Sequence, residues 1–288
     1  MFTRLGDAYR RIRNTLRILL GNANVVTGIA DPGWSNESSR QSPPGSATPA
    51  TTFTLVDRWI LHRLQEVISD CREAYAAYEF HKVYHTLNQF CAVDLSSLYV
   101  DITKDRLYCD AENSPRRRAT QKAMRELFES MTKLLAPILA FTAEEAWSYL
   151  GSDDSVHIQE FPSPNESNRD KAAQELVDEL LKLRGVIGQA VEQARQEKLI
   201  GNALEARVVL RCDVNKLSGI AREELEEFFI LSDLQLEPAE TTLASITRTP
   251  YQKCARCWRH REAVGKSVSY PDLCDRCETV VAGMAQGS

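Results

Sequence analysis

The chain has 288 residues, 43% hydrophobic and 26% charged, enough for two domains with cores of their own and typical of an ordinary folded protein. No apolar run approaches the ~20 residues that cross a bilayer, and Ile18 to Ala30 is broken by Gly21, Asn22, Asn24 and Gly28, which makes a poor signal peptide. A net charge of −5 excludes a generally basic nucleic-acid binder, yet residues 1–22 carry five arginines against one aspartate and residues 248–266 six Lys/Arg against one glutamate. Two basic patches on an acidic body still hold a polyanion locally, because exposed charges act over about 10 Å.

Leu5, Tyr9, Ile12, Leu16 and Leu19 recur at helical spacing, with Gly21 placed as a C-terminal stop. Residues 31–52, rich in Pro, Ser, Thr and Gly, read as a flexible surface loop. Four amphipathic helices follow. The first carries Val56, Ile60, Leu64, Val67, Cys71, Ala74 and Tyr78, and the second Tyr84, Leu87, Cys91, Leu98 and Ile102. Ser114-Pro115 opens the third, with Met124, Leu127, Met131 and Leu134 along it, and a Thr142/Glu145 capping box precedes Ala146, Trp147 and Leu150 in the fourth. Such stripes are those of antiparallel bundle helices.

A further helix carries Leu176, Leu180, Leu183, Ile187, Ala190 and Ala194. Then the period changes: 204–212 alternates and is β-branched, 222–230 is a short helix, and LQLEP and ASITR supply further strands. The expected fold is mainly α: an antiparallel bundle over 1–163, a helix with a small α+β unit over 164–249, and a terminal module over 250–288.

That module holds Cys254, Cys257, Cys274 and Cys277 as two Cys-x-x-Cys pairs with sixteen residues between them. Four thiolates match tetrahedral zinc at about 2.3 Å, and no His or carboxylate at ligand spacing leaves a position open for chemistry, so one structural zinc is expected. Structural zinc contributes roughly 10–16 kcal/mol of apparent binding energy in small modules, enough to fold a segment with little core. A redox dithiol is the rival reading. Cys71, Cys91, Cys109 and Cys212 sit singly in apolar segments as buried free thiols, which fits a reducing cytosol. Trp258, flanked by Arg256 and Arg259, either packs under the zinc turn or offers a flat ring for stacking on an unpaired base.

Other polar features have bland readings beside sharper ones. Arg10, Arg13 and Arg17 share one helix face short of acidic partners, and Arg116, Arg117 and Arg118 crowd a helix N-terminus where an anion is favoured, or form a solvated basic edge. His62, His81 and His85 read as surface or packing residues, and Asp101, Lys104, Asp105 and Arg106 as intrahelical charge pairs. Asp94 interrupts an apolar stripe and, if buried, needs an arginine from a neighbouring helix.

These motifs resemble one family. The clasp with Arg256-Cys257-Trp258, the run Tyr9–Arg17, Leu20-Gly21-Asn22, Asp57-Arg58-Trp59, Lys104–Tyr108, Leu135–Ile138, Thr142–Trp147, Leu183-Arg184, and Ile200-Gly201 before Leu204–Ala206 are similar to the C-terminal part of bacterial isoleucyl-tRNA synthetases. The resemblance covers nearly the whole chain outside 31–52. It implies a class I synthetase anticodon-binding bundle, cytoplasmic, with isoleucine tRNA as partner and a separately encoded catalytic portion as a candidate partner. It also implies RNA contacts from Arg256, Trp258, Arg10, Arg13, Asn14 and Arg17.

The family's His-Ile-Gly-His-like and Lys-Met-Ser-Lys-Ser-like motifs are absent, and Gly265–Ser269 lies inside the clasp. ATP is therefore expected to serve only the intact enzyme, which charges tRNA with isoleucine. The alternatives are a formamidopyrimidine-type DNA glycosylase, which shares the finger spacing but needs proline and glutamate where Phe2 and Thr3 stand, and a non-catalytic zinc-stapled interaction module. The isolated chain should show no isoleucine-dependent ATP–pyrophosphate exchange; detectable exchange would reveal a catalytic site among these residues.

Overall fold

The computed structural model describes residues 2–23, 53–151 and 154–286. The loop expected over 31–52 lies outside them, as does the side chain of Leu5. Contacts divide the chain into two compact units: Met1–Asp101 with Glu112–Gln174, and Ile102–Ala111 with Glu175–Ser288. The second unit takes in the α+β segment, the cysteine module and a short stretch of an earlier helix.

The first unit is an all-helical bundle of α1 (Phe2–Ala23), α2 (Leu55–Ala76), α3 (Phe80–Gln89), α5 (Pro115–Leu135) and α6 (Ala140–Ser148). Its apolar stripes meet in a core that includes Leu16, Leu19, Trp59, Leu64, Leu127 and Phe128. From α3 the chain runs on through a π-helical stretch, Phe90–Tyr99, into α4 (Val100–Cys109). This stretch buries Phe90, Cys91, Leu95, Leu98 and Tyr99.

A buried polar knot fixes α2. Thr54 caps the helix in a reciprocal box with Asp57. The Asp57 carboxylate, 0% exposed, also accepts from the hydroxyls of Tyr99 at 2.8 Å and Thr120 at 3.0 Å. Burial without such donors would cost several kcal/mol. Asp94 finds the arginine it needs in Arg63 of α2, 3.4 Å away. His62 is buried and accepts the Asp170 backbone N–H at its Nδ1, whereas His81 and His85 are exposed.

Some local signals yield to tertiary context. α1 runs through Gly21 to Ala23, so that glycine does not end it. Tyr78 is 79% exposed at φ +58°, beyond the end of α2, rather than part of its stripe. The capping box expected at Thr142 and Glu145 does not form, because α6 already begins at Ala140; the Thr142 hydroxyl instead meets that of Tyr9 at 3.2 Å. Ser114 stands at the N-cap of α5 with Pro115 at the first helical position, but its side chain makes no capping bond.

In the second unit, α7 (Lys171–Gln196, from Glu175 onward) leads to β1 (Ala206–Cys212), α8 (Arg222–Phe229), β2 (Asp233–Pro238) and β3 (Leu243–Arg248). The sheet order is β2-β1-β3: β1 is parallel to β2, with Val208 opposite Leu234, and antiparallel to β3, with Val208 opposite Ile246. Alternation in β1 buries Ala206, Val208, Leu210 and Cys212 on one face.

Residues 102–111 are gripped by charged partners far along the chain. Arg106, 1% exposed, gives two hydrogen bonds to Glu227 of α8 at 2.9 and 2.7 Å. Asp105 receives two from Arg276 at 2.6 and 3.0 Å. Glu226, equally buried, takes Arg222 at 3.1 Å and Arg261 at 2.6 Å. Such pairs specify a register more than they add stability, since removing one partner leaves the other charge buried. Arg106→Ala should therefore lower unfolding stability by about 3–5 kcal/mol in urea titrations, and Arg106→Met with Glu227→Leu should recover most of it. A loss below ~1 kcal/mol for the single change would show that the pair is not a buried lock.

Candidate functional site

The cysteine clasp is built on three short elements. β4 (Gln252–Lys253) pairs antiparallel with β5 (His260–Arg261), and α9 (Asp275–Gln286) follows Cys274. Between the strands the chain turns on Cys254–Trp258: the Trp258 N–H donates to the Cys254 carbonyl at 3.0 Å, and the Cys254 N–H to the Arg259 carbonyl at 2.9 Å. Across the site Ala255 donates to the Asp272 carbonyl at 2.9 Å, tying the two cysteine turns together. Gly265, at φ +90°, permits the reversal between them.

The four sulfurs lie within 4.8 Å of one another, and the Cys257 and Cys274 sulfurs are 3.8 Å apart. Zinc–sulfur bonds of ~2.3 Å directed to tetrahedral corners require nearly that spacing. The Cys274 N–H donates to the Cys254 sulfur at 3.3 Å, a hydrogen bond of the kind that steadies a metal-bound thiolate. Cys277 sits in the first turn of α9, where the helix dipole favours a thiolate. Hydrogen bonds from the Cys257 and Cys274 thiols, with Arg256 behind them, hold Cys277 down to about 3, while the bond with Cys257 raises Cys274. The donor set thus fits one zinc ion with a closed shell, which makes it structural.

Around the metal ligands the only core is Cys109, Val264 and Leu273, with Tyr270 and Val281 partly covering it, among the described residues. Cys71, Cys91, Cys109 and Cys212 are buried free thiols, and burial raises the first three to about 12.

Trp258 is the outlier of this turn. Its neighbours Cys257 and Arg259 are buried, but its indole is 62% exposed. The backbone is unusual here too. Trp258 has φ +64°, the left-handed region, which costs a non-glycine residue roughly 1–2 kcal/mol. Lys253 places its ammonium 5.4 Å from the ring centroid. Nothing in the spacing of the motif marks Lys253; the pairing of Lys253 with His260 brings it there.

The neighbouring arginines are engaged. Arg256 donates to the Cys109 carbonyl, to the Tyr108 carbonyl at 3.3 Å and toward the Cys277 sulfur at 3.7 Å. It thereby caps the C-terminal end of α4 with a cation, as the helix dipole favours. Arg259 donates to the Leu231 carbonyl at 2.9 Å and lies 3.7 Å from Asp105.

The other candidate residues belong to the bundle. Arg10 is exposed with a solvent-open pair to Asp7 at 3.2 Å, worth little. Arg13, Asn14 and Arg17 are exposed and have no hydrogen-bond or ion-pair partner among the described residues. Arg116 and Arg117 are half-buried and already engaged within the chain.

Comparison with known proteins gives this geometry its class. The model described as "Anticodon-binding domain of tRNA ligase" matches residues 57–210, and "Zinc finger found in FPG and IleRS" matches 252–280. The chain belongs to the anticodon-binding domain family of tRNA ligases. The finger model spans two kinds of protein, so the match over 57–210 is what sets aside the glycosylase alternative.

Among its relatives are isoleucine–tRNA ligases. That of Syntrophotalea carbinolica is 38% identical over 96% of this chain, that of Geobacter sulfurreducens 36% over 98%, and that of Moorella thermoacetica 39% over 96%. The chain spans about 30% of the length of each of these relatives. Among the described residues no helix is long and apolar enough to cross a membrane.

Purified chain should carry one zinc by elemental analysis. Chelation should release it and leave residues 250–286 open to protease, while α1, α2 and α5 keep their helical signal. Metal-free protein with its fold intact and four reactive thiols would contradict the clasp.

Proposed function

We propose that this chain reads the anticodon arm of an isoleucine tRNA, as the anticodon-binding part of an isoleucine–tRNA ligase. The observation that carries the reading is Trp258: an exposed indole, held in a strained backbone conformation on a metal-closed turn, with Lys253 over its face. A flat ring with a cation beside it suits an unpaired base and its phosphate. Stacking of this kind contributes about 1–3 kcal/mol per base.

Arg256 enters this scheme as the residue that locks the turn onto α4, with RNA contact falling to Trp258 and Lys253. Arg13, Asn14 and Arg17 supply phosphate contacts from α1, without sequence information of their own. Arg116 and Arg117 contribute less, since their charge is already used within the chain. ATP-dependent charging with isoleucine belongs to the longer protein, in the cytoplasm, and the present residues would select which tRNA is presented.

Glycine is the residue that φ +64° prefers. Trp258→Gly should therefore keep zinc and fold while removing the ring, and should weaken binding to isoleucine tRNA by about 5- to 150-fold. The loss should be far smaller for a tRNA with an exchanged anticodon. Equal losses on both RNAs would reduce Trp258 to a packing role. Arg13→Gln and Arg17→Gln should instead weaken all tRNAs alike and flatten the dependence on salt.

A further inference from the structure

Cys109, the last residue of α4, lies against the clasp without being part of it. Its side chain belongs to the same buried cluster as the four clasp cysteines, Val264 and Leu273, whereas Cys71, Cys91 and Cys212 do not. The Cys109 sulfur is 4.0 Å from the carbonyl oxygen of Arg256, which belongs to the peptide bond joining Arg256 to Cys257. Arg256 in turn donates from Nη1 to the Cys109 carbonyl and reaches toward the Cys277 sulfur at 3.7 Å. Side chain and backbone of Cys109 are thus both fastened to the first cysteine turn. The thiol is nevertheless no ligand, because four sulfurs already complete a tetrahedral set. A fifth thiol beside a complete set has no metal bond to break before it reacts.

Exposure selects the cysteine that meets a dissolved oxidant. Cys254 and Cys277 are 0% exposed and Cys274 2%, but Cys257 is 9% and Cys109 8%. The two most accessible members of the cluster are therefore the two that flank the Arg256–Cys257 peptide. A thiolate is the form that peroxides oxidise, and the sulfenic acid it becomes has two fates. With a thiol at hand it condenses to a disulfide, which reductants reverse; without one it goes on to sulfinic acid, which they do not.

We propose that Cys257 and Cys109 form a peroxide-responsive pair that opens the clasp reversibly, Cys257 as the oxidised sulfur and Cys109 as the thiol that closes a disulfide on it. The Cys257 thiolate attacks one oxygen of hydrogen peroxide, the O–O bond breaks, and hydroxide leaves. The Cys109 sulfur then attacks the Cys257 sulfur: an S–S bond forms, the S–O bond breaks, and the departing hydroxide takes the Cys109 proton and leaves as water. The two sulfurs together supply the two electrons that reduce the peroxide. Cys257 no longer ligates, so the set of four is broken, and a segment folded by its metal loosens. Cys109 does this better than another clasp cysteine because the other three are tied to the ion. The inference goes beyond the RNA-binding reading and does not depend on it.

The test uses the full chain loaded with zinc and treated with hydrogen peroxide. Released zinc is read with a chromogenic chelator, and disulfides are mapped by mass spectrometry without reduction. Zinc should leave as a peptide pair joined through Cys109 and Cys257 appears, and reductant with added zinc should restore the bound metal in full. In Cys109→Ser, Cys257 should pass on to sulfinic acid, and zinc should not return after reduction. Cys71→Ser should behave as the native chain does. Disulfides confined to Cys254–Cys257 or Cys274–Cys277, with Cys109 still free, would overturn the pair. So would zinc that returns equally well to the native chain and to Cys109→Ser, or zinc that stays bound under peroxide that oxidises free cysteine. The disulfide map of the native chain decides the matter even where Cys109→Ser fails to fold.

Discussion

Four thiolates around one ion are the constraint on which the C-terminal module depends. Residues 250–286 contain two-residue strands, one short helix and, beside the cysteines, a buried core of Val264 and Leu273. So little buried area, at about 25 cal/mol per Å², does not offset the entropy of ordering such a segment. Metal ligation closes that gap, and its geometry also determines what the segment displays. The turn that brings Cys254 and Cys257 together closes just past them at Trp258, where φ is left-handed and the indole stands outside. Metal binding and ring exposure are thus two consequences of one turn.

Buried charge performs a different task in the same unit. Arg106, Glu226 and Glu227 are almost wholly out of solvent, and each is bonded to a charged group from another element. Apolar contacts tolerate sliding, whereas two parallel N–H···O bonds such as those of Arg106 on Glu227 do not. Arg256 on the α4 carbonyls and Arg276 on Asp105 extend the same fastening to the clasp. The arginines that crowd the motif in sequence are therefore engaged within the module, while Trp258 stays exposed with Lys253 beside its ring.

How much of this was legible beforehand follows from the range of each signal. Helical stripes, the alternating strand at 206–212 and the two cysteine pairs depend on neighbours within a few residues, and each was readable. Asp94 could be assigned an arginine because a buried carboxylate must find one, though not which. Signals that require a distant partner are missing from local sequence: Arg106 reads as a member of an intrahelical charge pair, and nothing near it points to Glu227, over a hundred residues on, which it also bonds. Gly21 and the Thr142/Glu145 pattern carried the correct local chemistry for helix ends, but packing continued one helix and started the other early. Lys253 stands in the sequence only as one charge of the 248–266 patch, because strand pairing is what places it over the ring. The approach of Cys109 to the clasp is likewise absent from local sequence, since the two lie far apart along the chain.

The central claim is that the metal acts on RNA through the ring it positions. The most direct measurement is the affinity of the full chain for isoleucine tRNA with zinc bound, removed and restored, in the native chain and in Trp258→Gly. Zinc removal should weaken the native chain to about the level of the variant, reversibly, and should change the variant little. Equal zinc-dependent losses in both chains would mean that the metal supports binding by a route that does not pass through Trp258.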